Sequence, residues 1–335
     1  MAAAYAWHLL ILPFTLLVMG LRNALVPLIR KIENGLRPPT PAITPAITPA
    51  ITPAEPDVPR LHRREILVAI PPLIAGAALG ISLGELHRFR VRRETLLVPG
   101  LPPALDGMTI AHVCDTHIGR FTDDAMLREV AETANGLDAD LTLFAGDLID
   151  VALADLPVGI DFAKRLRGRF GVFFCEGNHD LIEDANKDTN LFETTTKSAG
   201  LPMLFDETAT VQVRRQPVQI LGGRWNRNEK RRAEATRRLM QQVDPNAFSI
   251  FLSHHPHCWD HSTTPLTLSG HTHGGQLMIS ERVGVGPIIF RYWSGMYTRG
   301  NQSLAVCNGT GNWFPLRINA PAEIMHLTLF GAVSP

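Results

Sequence analysis

Neither sign of charge is in excess: Lys and Arg together number 32, and so do Asp and Glu. A basic footprint for nucleic acid is missing, and no nucleic-acid partner is expected. Cysteine is scarce. Cys114, Cys175, Cys258 and Cys307 are widely spaced and form no CxxC pair. Their even number permits disulfides without arguing for them. Cys114 and Cys175 fall in apolar, strand-like runs, where a cysteine is usually a small buried hydrophobe, so cysteine usage leaves the compartment open. Acids are absent from Tyr5 to Ile29, where Arg22 is the sole strong base, and Ile66 to Leu83 holds no charge at all.

Those two uncharged stretches set the organisation of the first hundred residues. About 20 apolar residues cross a bilayer, and the first run reaches that length even with Pro13 and Pro27. The second is close to the minimum. A cleaved signal peptide would suit the first run less well, because it lacks a basic leader and is long. A buried core helix is the other reading of the second. Between them Thr40-Pro41-Ala42-Ile43 repeats as a tetrad through Pro53. Proline every fourth residue excludes helix and central strand and favours an extended spacer, at roughly 3 Å per residue. The expected layout is a transmembrane segment over 1–30, a Pro-rich linker and basic stretch over 31–64, a second transmembrane segment over 65–87, and one large domain over 88–335. Arg30, Lys31, Arg37, Arg60, Arg63 and Arg64 between the runs lean the large domain toward the extracytoplasmic side. Arg63-Arg64-Glu65 ahead of an apolar run also resembles a twin-arginine export signal. Arg88, Arg90, Arg92 and Arg93 pull the other way unless they form the exposed face of a first strand.

From Pro99 onward the chain alternates. Strand candidates are Met108–Val113, Leu141–Ala145, Val172–Cys175, Val218–Leu221, Phe248–Leu252, Leu266–Leu268, Leu304–Cys307 and Ile324–Phe330. Helical patterns lie at Asp123–Ala134, with Thr122 as expected N-cap, and at Val158–Leu166 and Glu229–Val243. This alternation argues for an α/β domain with helices covering sheets.

Polar residues gather just past the strand ends: Asp115 and His117, then Asp147, then Asn178, His179 and Asp180, then His254, then His271 and His273. In open α/β sheets ligands bind at that edge. A lone Asp there is usually a turn residue and a lone His usually structural, but five of the first six strand ends each carry a metal-binding residue type. Carboxylates, an amide and imidazoles without thiolate suit Mn, Fe, Zn or similar ions. Their number exceeds one tetrahedral site. Two ions about 3.5–4 Å apart can activate a bridging water and clamp the oxygens of a displacement at phosphorus.

Asp115-Thr-His117, Gly146-Asp147, Gly177-Asn178-His179-Asp180, His254 before Pro256, and Gly270-His271-Thr-His273 resemble, in that order, the motifs of the calcineurin-like metallophosphoesterases. The resemblance runs from about Leu97 to Leu329. It implies a four-layer αββα sandwich of two mixed sheets, here preceded by the transmembrane helices, and a dinuclear site that hydrolyses a phosphodiester or pyrophosphate with a metal-bridging hydroxide. By motif position Asp115, His117, Asp147 and His273 would hold one ion, Asp147 bridging, with Asn178, His254 and His271 completing the other. His179 would steady the phosphoryl oxygens or protonate the leaving group, with Asp180 orienting it. Where the family commonly has Ser before the first Asp, this chain has Cys114, expected to pack behind the site. His255 and His257 are expected to be pocket-wall or surface residues.

Gly274-Gly275-Gln276, Gly295-Met-Tyr297, Asn308-Gly309-Thr310-Gly311, Pro315-Leu-Arg317 and Ala322-Glu323-Ile324 resemble the membrane-associated bacterial branch, which includes phosphodiesterases and UDP-2,3-diacylglucosamine hydrolases of lipid A assembly. That implies inner-membrane localisation and a lipid-linked phosphoester as substrate, against a broad-specificity phosphodiesterase or a non-catalytic scaffold. The basic segment Arg224 to Arg238 is open to two readings: a surface for anionic lipid, worth about 1 kcal/mol per base, or a solvated amphipathic helix.

Overall fold

The computed structural model describes residues 89–331, apart from 281 and 282, together with residues 76, 80, 82 and 84. The two apolar runs and the spacer between them lie outside the described residues but for Gly76, Gly80 and Ser82. Among the described residues no helix is long and apolar enough to cross a membrane. The chain divides into two compact units, Met1–Gly80 and Ile81–Pro335, and the second holds every strand and helix named here.

Short, almost wholly apolar runs form the inner strands, because a parallel strand covered on both faces has no side left for polar residues. They assemble into two mixed six-stranded sheets. The first runs β1 (Phe89–Val98), β14 (Ala322–Gly331), β2 (Met108–Val113), β3 (Leu141–Ala145), β4 (Val172–Cys175) and β5 (Met203–Leu204). Strands β2 to β5 are parallel, while β14 is antiparallel to β2 and parallel to β1. The second runs β12 (Gly295–Arg299), β13 (Gln302–Val306), β9 (Leu266–Ser269), β8 (Phe248–Leu252), β7 (Gln216–Gly222) and β6 (Glu207–Val213). Its four middle strands are parallel and an antiparallel hairpin closes each side. A small separate hairpin joins β10 (Met278–Ser280) to β11 (Val283–Gly284).

Alternation along each strand builds the layers. Ile110, Leu141, Leu143, Phe173 and Cys175 from the first sheet meet Ile220, Ile250, Leu252 and Leu268 from the second in one buried core. The opposite faces carry Val113, Phe144 and Phe174, which pack beneath α1 (Asp124–Gly136), α2 (Leu156–Arg165) and α4 (Leu191–Ser198). A shorter α3 (Ile182–Lys187) precedes α4. On the far side Leu221 and Phe251 pack under α5 (Glu229–Met240), and α6 (Gly286–Ile289) is a single turn after β11. The order helix, sheet, sheet, helix is the expected αββα sandwich. One local expectation fails. The N-cap of α1 is Asp123, whose carboxylate accepts the Met126 N–H at 2.9 Å. The Thr122 hydroxyl instead donates to the Thr116 carbonyl at 2.8 Å, drawn there because the turn after β2 would otherwise leave that carbonyl unpaired.

Candidate metal centre

Both sheets end their parallel strands at the same edge. Asp115 and His117 follow β2, Asp147 follows β3, and Asn178 and His179 follow β4. From the second sheet His254 follows β8, and His271 and His273 follow β9. The strand-end loops are tied to one another by backbone bonds. Asp115 N–H donates to Gly146 O at 2.9 Å, His117 N–H to Asp147 O at 3.2 Å, and Gly270 N–H to His254 O at 3.2 Å.

The donor atoms converge in two adjoining groups. In the first, His273 Nε2 lies 2.9 Å from His117 Nε2 and 3.3 Å from Asp115 Oδ1. In the second, His254 Nε2 lies 3.0 Å from Asn178 Oδ1, 3.1 Å from Asp147 Oδ2 and 3.2 Å from His271 Nδ1. The Asp147 carboxylate stands between them, its Oδ2 also 3.5 Å from His117 Nε2. Asp115, His117 and His273 thus form one potential ion-holding group and Asp147, His254 and His271 another, while His117, Asp147 and His179 form a third between them.

Two tests bear on whether these residues fit a metal pair. The first is orientation. His254 Nδ1–H donates to Ala145 O at 2.8 Å, which leaves the lone pair of the neutral ring on Nε2, facing the other donors. The second is backbone. Asp115 (φ 52°), His117 (44°), Asp147 (57°), His271 (73°) and His273 (49°) all occupy the left-handed region, which ordinary residues adopt at a cost of about 1–3 kcal/mol each. Such strain persists where the surroundings hold it, and here it turns five donors toward one point. Glycine makes the room: a Cβ at Gly177 would collide with Asp147 Oδ1, and one at Gly270 with Asp115 Oδ2. The residues fit.

Electrostatics describe the same cluster from the proton's side. Burial disfavours a charged His117, but the facing carboxylates of Asp115, Asp150 and Asp147 raise it to about 9. His254 is likewise raised to about 9, burial being overcome by Asp147. Burial, with the charge of His254, lowers His271 to about 3, and burial lowers His273 to about 4. Asp115 and Asp147 stay ionised despite burial because these imidazoles face them. Without a metal, then, the carboxylates hold protons on two of the four rings.

Asp180 does not orient His179. Its buried carboxylate accepts N–H groups from Asp147 (3.0 Å), Leu148 (2.8 Å), Ile149 (3.0 Å) and Gly177 (2.8 Å), because a loop bearing that many unpaired donors draws in the nearest carboxylate. The His179 ring is set by Asp150: Nδ1–H donates to its carbonyl at 2.7 Å, and its Oδ1 lies 3.1 Å away. Asp150 carries its own sequence signal only as the second Asp of Asp147-Leu-Ile-Asp150. Three further residues escape sequence reading. The Arg317 guanidinium is buried, 3.1 Å from His273 Nδ1, and donates to the carbonyls of Ala320 (2.8 Å) and Gly311 (2.6 Å) and to Asn312 Oδ1 (2.6 Å). Trp225 packs 5.0 Å from the His271 ring, and Trp313 lies 5.8 Å from that of His179. Pro315-Leu-Arg317 stands out as a motif, but nothing in a sequence says its arginine points inward. Cys114 is buried behind Asp115, its thiol pushed well up by burial, and all four cysteines are free. His255 stacks against both Trp225 and His271, and its Nδ1 accepts the His257 N–H.

Buried imidazoles and carboxylates grouped around a shared Asp, on the C-terminal edge of an αββα sandwich, define a candidate metal-dependent hydrolase site. The family described as Calcineurin-like phosphoesterase matches residues 108–285, more than half of the chain, and the chain belongs to that family. It is accordingly a metal-dependent hydrolase of phosphoric esters. The chain is 28% identical over 239 residues to the uncharacterized metallophosphoesterase Cj0846 of Campylobacter jejuni, covering 69% of this chain and 61% of that protein. It therefore spans about three fifths of that relative's length. It is 28% identical over 234 residues to the phosphodiesterase YaeI of Escherichia coli, covering 66% of this chain and 81% of that one. It is also 24% identical over 302 residues to the UDP-2,3-diacylglucosamine pyrophosphatase LpxG of Chlamydia trachomatis, covering 72% and 89%.

Proposed function

We propose that the chain hydrolyses a lipid-linked phosphodiester or pyrophosphate, of the kind exemplified by UDP-2,3-diacylglucosamine, at a pair of divalent ions. The observation that carries the two-ion reading is the Asp147 carboxylate standing between two donor groups, 3.5 Å from His117 and 3.1 Å from His254. Asp115, His117, Asp147 and His273 would hold one ion, and Asp147, Asn178, His254 and His271 the other. When bound, the pair supplies a hydroxide nucleophile at neutral pH and positive charge for the phosphoryl oxygens. The chain's own contribution is order and proton traffic. Asp150 fixes the His179 ring with Nδ1 protonated, so that Nε2 is the atom that meets substrate and carries a proton to the leaving oxygen. The likeness to YaeI and LpxG supports the phosphodiester and pyrophosphate readings respectively, and the apolar run Ile66–Leu83 supports a substrate met at a membrane.

The same residues give the test. Asp147→Asn is expected to abolish turnover of an aryl phosphodiester and to lower bound metal, measured by plasma emission on the purified chain. His179→Ala is expected to lose turnover and keep both ions; loss of the ions as well would refute the division of labour. Hydrolysis in 18O water should label the phosphoryl product with no phosphoenzyme trapped. A nucleotide-linked lipid pyrophosphate turned over no faster than the aryl diester would favour the second reading, a phosphodiesterase without lipid preference.

A further inference from the structure

Large apolar side chains left exposed on a soluble surface are common singly and informative when they gather beside a site. Among the described residues Ile288 (82% exposed), Ile289 (65%), Val283 (52%) and Trp313 (40%) gather in this way. The segment that carries the first three ends at Phe290, whose ring lies 5.6 Å from His271. The segment that carries the fourth lays Trp313 5.8 Å from His179. One flank thus borders His271 and the other borders His179.

The two flanks are connected through the backbone. Val285 N–H donates to Leu277 O at 2.9 Å, Met278 N–H to Ile318 O at 2.9 Å, and Ile318 N–H to Gln276 O at 2.9 Å. Backbone bonding therefore runs without a break from residues 283–285 through 276–278 to 318, five positions from Trp313.

The chain also approaches this region from its N-terminal side. Ser82 is the last but one residue of the uncharged run Ile66–Leu83. It is fully buried, its hydroxyl donating to Pro315 O at 3.1 Å and accepting the Arg317 N–H at 2.8 Å. Ser82 is thus tied to the loop that carries Trp313, two residues from that ring.

We infer that Val283, Ile288, Ile289 and Trp313 form an apolar collar seated on a lipid bilayer, with the metal centre opening toward the headgroups. The inference rests on the lipid-linked reading of the substrate given above. With Ser82 held beside Trp313, an apolar run that entered a bilayer just before it would keep the collar at the lipid surface by chain connectivity. Burying exposed apolar side chains at the headgroup and acyl boundary is the ordinary source of interfacial binding. A phosphoester at headgroup depth would then reach the ions without its lipid leaving the membrane.

The test uses the full chain reconstituted in phosphatidylethanolamine and phosphatidylglycerol vesicles. The four native cysteines are buried, so Ile288→Cys takes a thiol-specific fluorophore selectively. Asn246→Cys, exposed just before β8 and so at the opposite edge of the sheet from the centre, is the control. The expected result is that the label at 288 is quenched by nitroxide-bearing lipid and shielded several-fold from aqueous iodide, while the label at 246 shows the reverse. Free access of iodide to position 288 would overturn the inference. So would shielding from iodide without nitroxide quenching, which would mean a second copy or another protein covers the collar. Aryl phosphodiester turnover by the same vesicles, measured in parallel, separates the two ideas: an active enzyme with an exposed label loses the collar and keeps the chemistry, and an inactive one with a lipid-quenched label does the opposite.

Discussion

Asp180 shows how a residue can sit in the right motif and do a different job. Its carboxylate gathers four backbone N–H groups from the loops after β3 and β4, and burial together with the charge of Asp147 pushes it up to about 6. Asp180→Asn would turn an amide NH2 toward donors. The expected cost is about 1–3 kcal/mol of stability, read by urea denaturation, with reduced metal content. A residue that merely aligned His179 would move neither. The four imidazoles give a second expectation, for the metal-free protein. His117 and His254, raised to about 9, contribute stability that is whole below 6.5 and is lost as pH rises through 9. His271 and His273, lowered to about 3 and about 4, contribute stability that is whole above 6.5 and is lost as pH falls toward those values. Stability in the presence of chelator should therefore peak near pH 6.5, with Asp180 flattening the acid limb. Divalent ions replace the protons on His117 and His254, so saturating metal should abolish the alkaline loss. Denaturation curves from pH 4 to 9.5, with and without metal, check both statements.

At the scale of single elements, what could be read in advance follows from what is local. Met108–Val113, Leu141–Ala145, Val172–Cys175 and Phe248–Leu252 are strands with the limits their composition indicates, because a run buried on both faces is apolar throughout and stops where water begins. Half-buried β6 reads Glu207-Thr-Ala-Thr-Val-Gln-Val213 and offers no apolar run, since its outward face is polar and its pairing with β7 comes from the hairpin. Helix α4 hid behind three consecutive threonines, poor helix formers that tertiary packing of Phe192 and Thr196 overrides. Site residues at strand ends were legible for the same reason the inner strands were. Asp150, Arg317, Trp225 and Trp313 were not, because their roles depend on which distant loop lies opposite. Helix α1 allows a clean check on how far an element can be weakened without touching the site. Asp123→Ala removes the cap on Met126 and should cost about 1 kcal/mol, lowering the melting temperature while metal content and turnover stay unchanged.

For the molecule as a whole, the decisive fact is that neither of the two groups proposed to hold an ion comes from one sheet alone. Asp115 and His117 come from one, His254, His271 and His273 from the other, and His117 stands 156 positions before His273. An ion held between them closes a loop of that length, as a disulfide would, and by the chain-entropy argument long loops gain most from closure. Unlike a disulfide, the link is present only as far as free metal exceeds its dissociation constant, adding about 2.7 kcal/mol at a hundredfold excess. Chelation is expected to accelerate unfolding as well as to stop turnover, seen as an unfolding limb shifted to higher rates in stopped-flow denaturation. The centre thus acts as a clasp between two β-layers, and metal supply in the cell would set the lifetime of the fold together with the rate of its chemistry.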